Sequence, residues 1–287
     1  MYLSQINAHP RDADITFEEE GHKYTILTDP TSNYTSVTNW CHAHFPTFDA
    51  DAVITGMMRS KNWKPGHKYW GMSREEIKSQ WSNNGSSVSQ AGTNLHHRIE
   101  CFMNLVGLVP RTSALTHRDL LTEHVADQTV CGQNPKEEPQ EWQYFLNYVA
   151  DHPDMKPYRT EWMIYDEDIK ICGSIDMVYE NEEDGTLSIF DWKRCKQITK
   201  VNPYNKFSLT PEFAEMADSN FWHYTLQLNM YKMILEKKYN KRVRDLCLVQ
   251  LHPEADAGDY ELYLVPDLSA RIRGMFCGAF LDKGNEK

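Results

Sequence analysis

No run of apolar residues in the 287-residue chain approaches the roughly 18 that a membrane-spanning helix needs, so a helical membrane protein is excluded. The opening MYLSQINAHPRDADITFEEE has neither the basic start nor the apolar stretch of a signal peptide, and it is too acidic for a transit peptide. An intracellular protein, cytoplasmic or nuclear, is expected. CxxC pairs are missing as well. The seven cysteines stand far apart at 41, 101, 131, 172, 195, 247 and 277, which argues against a zinc site or a disulfide framework and for free, packed thiols. There is no internal repeat or low-complexity tract, and 40% hydrophobic with 25% charged residues is ordinary for a globular chain, which excludes disorder, collagen and coiled coil. Positive charge is the scarcer sign, 30 Lys and Arg against 41 Asp and Glu, and a net charge of −11 rules out a protein that coats nucleic acid by bulk attraction. A local basic groove beside a carboxylate cluster stays compatible with that total.

What is present divides by period. Ile15 to Leu27 reads as a hairpin around Glu20-Gly21, and Ser36-Val37-Thr38 as a capped helix start. Residues 50–82 read as helical pieces broken at Pro65-Gly66, Ser82 to Ser89 as a polar loop, and Thr93 onward as a helix with Leu95, Ile99, Phe102 and Met103 on one face. Glu141 to Val149 is helical. Three strands follow at 158–165, 171–179 and 186–192, rich in β-branched and aromatic residues, then a helix near Ala214 to Tyr239, strands at 244–251 and 260–265, and a closing helix from about Asp267. That order predicts an α/β (α+β) fold with a central mixed β-sheet flanked by helices. Residues 1–90 read as an N-terminal hairpin and helical region able to form a substrate-binding lobe, and 91–287 as the core.

The chemistry concentrates in CGSIDMVYENEEDGTLSIFDWKRCK, residues 172–196. A turn centred near Glu183 sets Asp176 opposite Phe190 or Asp191, and strand alternation puts Asp191 and Lys193 on one face. Two carboxylates so paired lie about 5 Å apart and repel unless a cation sits between them. Mg²⁺ or Mn²⁺, which prefer carboxylate oxygens, resolve the conflict. His96 and Glu100 share a helical face, as do Gln227 and Tyr231, each pair being four residues apart.

Together these segments resemble the RecB-like exonuclease branch of the PD-(D/E)xK nuclease superfamily. Gly173-Ser174-Ile175-Asp176 and Asp191-Trp192-Lys193 match its central motifs, Gly92-Thr93-Asn94-Leu95-His96 its upstream G-x-x-x-H helix, and Gln227-Leu228-Asn229-Met230-Tyr231 its downstream Q-x-x-x-Y helix. The resemblance spans roughly 92–251. It implies a restriction-endonuclease-like core and metal-dependent hydrolysis of DNA, most simply from ends. Asp176, Asp191, Lys193, Gln227 and Tyr231 would form the catalytic group. One or two Mg²⁺ or Mn²⁺ ions would be held by His96, Asp176, Asp191 and the Trp192 carbonyl, with Glu100 or Glu161 as further candidates. Glu100 is also expected to steady His96. A structure-specific endonuclease, an RNA-cleaving nuclease and a non-catalytic nucleic-acid-binding module remain open. The cysteine trio that holds an iron–sulfur cluster in some members is missing, so no cluster is expected. The segment SVTNWCHAHFPTF resembles nucleases of large DNA viruses and phages.

Two basic islands interrupt the acidic chain. One carries Arg59, Lys61 and Lys64 with Trp63 interleaved, and the other Arg194, Lys196, Lys200 and Lys206, each without an acidic residue. Both have the cations and, in the first, the aromatic rings that bind single strands. The expected partner is therefore DNA, single-stranded or with free ends.

Overall fold

The change from helical to alternating period near residue 155 marks where the sheet begins. The computed structural model describes residues 1–105, 113–126 and 138–282, with backbone alone for 277–282. Its N-terminal part holds α1 (Tyr2–Ile6), the hairpin β1 (Ile15–Glu18) and β2 (Lys23–Ile26), β3 (Thr35–Ser36), α2 (Val37–Ala43), α3 (Ala50–Arg59) and α4 (Arg74–Met103). After α5 (His117–Ala126) and α6 (Gln140–Asp151) come β4 (Lys156–Asp166), β5 (Ile171–Asn181) and β6 (Thr186–Lys193), then α7 (Asn220–Lys238), β7 (Val243–Gln250), β8 (Glu261–Leu264) and α8 (Ser269–Asp282). This is the mixed α/β architecture that the pattern predicts: β3 to β8 form one six-stranded mixed sheet with helices against both faces.

Strand alternation assigns the two cores. On β6 and β7, Leu187, Ile189, Leu246 and Leu248 turn to the side packed by α2 and α7, while Phe190, Trp192, Cys247 and Val249 turn to the side packed by α4 and α6. Asp191 and Lys193 share the parity of Ile189, so both fall on the α7 side. Cys41, Cys101, Cys172, Cys195 and Cys247 form no disulfide with one another, and all but Cys195 are buried. No helix of the described residues is long and apolar enough to cross a membrane.

Three boundaries differ from expectation. Ser82 to Ser89 is not a loop but the middle of α4, whose start is fixed by a capping box: Ser73 Oγ accepts from the Glu76 N–H at 3.2 Å while the Glu76 carboxylate accepts from the Ser73 N–H at 2.7 Å. Continuing from that nucleus adds one hydrogen bond per residue, which overrides the poor helix propensity of Ser, Asn and Gly. A boundary at 90/91 therefore cuts a continuous helix. Residues 214–219 precede α7, which begins only at Asn220 because the chain first makes a 3₁₀ turn at Pro211–Phe213. The expected helix stop at Gly107 and Pro110 lies outside the described residues, though α4 itself ends at Met103.

One buried group sets an acid limit on this fold. His117 is fully buried with Nε2 3.0 Å from the Tyr179 hydroxyl, and burial pushes its imidazole down to about 3. The unfolded chain, with His117 at its ordinary 6.5, binds a proton that the folded chain refuses. Stability is thus full above that value and is lost progressively as pH falls from it towards the folded value. Urea midpoints at about pH 7.5 and about pH 5 isolate the loss as a difference from His117→Gln, which does not titrate: wild type should fall relative to the variant between the two pH values.

Candidate active site

The β5–β6 ladder runs from Asn181↔Thr186 to Met177↔Phe190 and stops. One residue further, the same register sets Asp176 across from Asp191, one of the two registers that the turn composition allows. β4 holds one edge of β5 along nearly its whole length, so β3, paired with Ile171 and Cys172, must share the other edge with β6. Gly173 to Asp176 are left without a strand partner on that edge, and there the sheet forks. Asp176 fills the opening: its Oδ2 accepts from the Trp192 N–H at 3.1 Å.

Side chains from three elements converge on the fork. His96 of α4 reaches it with Nε2 2.9 Å from the Trp192 carbonyl oxygen and Nδ1 3.5 Å from Asp176 Oδ2. Glu161 of β4 is flanked by the pairs Thr160↔Met177 and Trp162↔Ile175, which sets it across from Asp176 on the other side. Ligand atoms of His96, Glu161 and Asp176 all lie within 4.8 Å of one another. Ser174 Oγ donates to Glu161 Oε2 at 3.1 Å. Glu161 has a left-handed φ of +42° in mid-strand, an unfavourable conformation for a residue with a Cβ and one that concentrates at functional sites. Burial, and next the Asp176 carboxylate, pushes the Glu161 carboxyl up to about 8.

Asp191 stands behind this cluster rather than in it. It is 2% exposed, and its Oδ2 is 2.5 Å from Lys193 Nζ. Burial pushes its carboxyl up to about 6 against the opposing pull of Lys193. For Lys193 burial acts downward, but Asp191 and Asp176 overcome it and hold the ammonium well above its ordinary value. Lys193 Nζ also sits 4.2 Å over the Tyr224 ring and donates to Gln227 Oε1 at 3.5 Å, and Gln227 Nε2 in turn donates to the Tyr231 hydroxyl at 3.3 Å. One turn of α7 thus links the two motif residues to the lysine.

Tyr231 is buried, and Gly173 makes room for it. A Cβ at Gly173 would come 2.9 Å from Tyr231 Cε1 and 3.3 Å from Val37 Cγ2. Gly173→Ala should therefore destabilise the fold by about 1–3 kcal/mol through overpacking. Combined with Tyr231→Leu, it should cost less than the sum of the two single changes, which a double-mutant cycle of urea unfolding measures.

Two assignments change. Glu100 does not steady His96, whose ring nitrogens face Trp192 and Asp176. It lies on the cleft wall with Oε2 3.9 Å from His97 Nδ1, and burial raises its carboxyl. Glu161, weighed equally with Glu100 from the sequence, joins the tight cluster, whereas Asp191 is held by Lys193. Among the basic residues, Arg194 Nε is 2.7 Å from Glu141 Oε1, and Lys196 pairs with Glu254, so both are engaged within the protein. Lys200 and Lys206 are exposed on the loop after β6, as are Arg59, Lys61 and Lys64 between α3 and α4. Trp63 is half-buried against His67 and Trp70, with ring centroids 4.9 and 5.8 Å away.

No protein-family model matches the chain, and no curated protein is detectably similar to it. The geometry alone therefore carries the functional argument. His96, Glu161 and Asp176 open onto a cleft of about 620 Å³ that Gln227 and Tyr231 also line. The β1–β2 hairpin forms a further wall through Phe17, Glu19, His22 and Tyr24, beside Ser36, Val37 and Thr38 at the start of α2. Sequence reasoning found that hairpin and placed it in a substrate-binding lobe, but named none of its residues at the site. No local signal marks a contact with residues more than a hundred positions away.

Proposed function

We propose that this protein is a divalent-cation-dependent nuclease of the PD-(D/E)xK type that hydrolyses phosphodiester bonds in DNA from free ends. The observation that carries the reading is the meeting of His96, Glu161 and Asp176 within 4.8 Å at the fork of β5 and β6, with the Asp191–Lys193 pair directly behind. The donor set fits Mg²⁺ or Mn²⁺: it is rich in carboxylate oxygen, with one imidazole and a backbone carbonyl. Glu161, raised by burial and a like-charged neighbour, is the kind of carboxylate that a cation returns to its ionised form. Asp191, buried behind the cluster and paired with Lys193, offers a further carboxylate to the set. His96, Asp176, Glu161, Asp191 and the Trp192 carbonyl would hold the ion. When bound, such an ion polarises a phosphoryl oxygen and lowers the pKa of a coordinated water.

The residues of the chain have their own tasks in this reading. Lys193, kept charged by Asp191, offers a fixed positive charge to the phosphate as negative charge builds there. Gln227 holds the lysine in place and Tyr231 holds Gln227. Lys200, Lys206, Arg59, Lys61 and Lys64 position the strand through phosphates without reading sequence.

The test is cleavage of end-labelled linear single- and double-stranded DNA beside closed circles, with Mg²⁺, Mn²⁺ or EDTA. Metal-dependent loss of the linear molecules, abolished in Asp176→Asn, is the expected result. Cutting of closed circles would replace end-directed action by endonucleolytic action. Absence of cutting under every metal would overturn the reading for DNA.

A further inference from the structure

We infer that the outer half of the β1–β2 hairpin is a base-stacking wall that seats an unpaired nucleobase beside the phosphate bound at the fork. The inference rests on the nuclease reading and adds the substrate class to it: a strand whose bases are unpaired where it enters the cleft, rather than the interior of an intact duplex.

The hairpin is built in two halves on one face. Its inner rung, Ile15↔Ile26, is buried with Tyr165 and Cys172 and pins the hairpin to the sheet. Two residues further out, on the same face by strand alternation, is the rung Phe17↔Tyr24. These rings are half-buried, and with His22 they line the cleft that holds Glu161 and Asp176. Ring centroids of Phe17 lie 4.7 Å from Tyr24, tilted at 41°, and 4.9 Å from His22, which stands edge-on at 85°, so the three form one aromatic cluster at the cleft. Tyr24 is close enough to Glu161 and Asp176 to feel their charge.

Charge decides what this surface takes. Glu18 at the end of β1 and Glu19 and Glu20 in the turn are exposed, and Lys23 across from Glu18 answers only one of them, so the tip keeps a negative charge that repels a phosphodiester backbone. With the cation of the nuclease reading bound, the fork takes an anion, and the occupant must show a flat, uncharged face to the hairpin wall of the same cleft. A nucleotide does both, through its base and its phosphate. A base stacked between neighbours in a duplex presents no free face to such a wall, so it has to be unpaired or flipped out.

The experiment compares a labelled single-stranded oligodeoxynucleotide with one that is abasic at its terminal nucleotides and with a blunt duplex. Binding is read in Ca²⁺ and cleavage in Mg²⁺, for wild type, Phe17→Leu and Phe17→Trp. Phe17→Leu keeps apolar packing and removes the aromatic face, Phe17→Trp restores one, and thermal melting checks that both fold. Wild type should favour the normal oligonucleotide over the abasic one by roughly tenfold or more, the scale of one base–aromatic stack. It should favour both single strands over the blunt duplex. In Phe17→Leu the preference over the abasic strand should collapse towards unity, and Phe17→Trp should retain it. Equal binding of normal and abasic strands by wild type, or an unchanged preference in Phe17→Leu, would overturn the inference. Because binding is read separately, a protein that discriminates through Phe17 but cuts nothing would uphold the wall and sink the nuclease reading instead.

Discussion

Asp191→Ala should lose stability as well as any cleavage, and the two losses should separate when a second change is added. The substitution strands the Lys193 ammonium, 15% exposed, without the carboxylate 2.5 Å away. Breaking one side of a buried ion pair costs about 3–5 kcal/mol, because the remaining charge stays desolvated. Removing both charges is different: Asp191→Asn with Lys193→Met leaves two neutral groups of similar size, and such exchanges are close to neutral. The double variant should therefore recover most of the urea midpoint that Asp191→Ala loses. On the nuclease reading cleavage should not recover, since both variants lack the Asp191 carboxylate and the double variant also lacks the positive charge offered to the phosphate, and a fall of roughly 1000-fold or more is expected in both. Full activity in the folded double variant would remove Asp191 and Lys193 from the mechanism. A wild-type midpoint in Asp191→Ala would mean that water reaches the pair.

Trp192 separates packing from chemistry. Its ring is 1% exposed and lies edge-on to Phe145 at 5.6 Å and Tyr148 at 5.5 Å between centroids. Trp192→Ala should cost about 3–5 kcal/mol, as expected for a large aromatic side chain deleted from a core. The indole N–H, however, is buried with no hydrogen-bond partner among the described residues. Trp192→Phe deletes that unsatisfied donor along with part of the ring, and the two effects oppose each other, so the loss should stay below about 1.5 kcal/mol. Urea unfolding of the two variants checks the contrast. The Trp192 backbone bridges the site, donating to Asp176 and accepting from His96, so activity should follow backbone position and survive in the phenylalanine variant.

Local patterns made the centre of the site legible. The β5–β6 turn is four residues, Glu182 to Gly185, within a run of Glu, Asn, Asp and Gly, and a tight hairpin leaves little freedom of register, so the partner of Asp176 was narrowed to Phe190 or Asp191 and the shared side of Asp191 and Lys193 could be read directly. The capped start of α2 was equally local, with Ser36 Oγ accepting from the Asn39 N–H at 3.1 Å. What could not be read depends on distant parts of the chain. Nothing near Arg194 or Lys196 foretells Glu141 and Glu254, which come from α6 and from the loop after β7. Nothing near Glu161 foretells its left-handed backbone. The polar stretch at 82–89 misled because propensity is a local sum, whereas α4 is sustained from the capping box at one end and by packing at the other.

That stretch is still a weak place. Between Ile77 and Leu95 no side chain of α4 is buried, so 82–89 is held by its own backbone hydrogen bonds alone. Its sequence, SNNGSSVS, favours helix less than alanine would by roughly 4–5 kcal/mol in sum. The helix should therefore open first in its middle, where amide protons exchange with solvent ahead of those from Leu95 to Met103, which are locked against the sheet. α4 is in effect two rods joined by a soft coupling. Opening there should leave the end that carries His96 in place, because Leu95, Ile99, Phe102 and Met103 stay packed in the core.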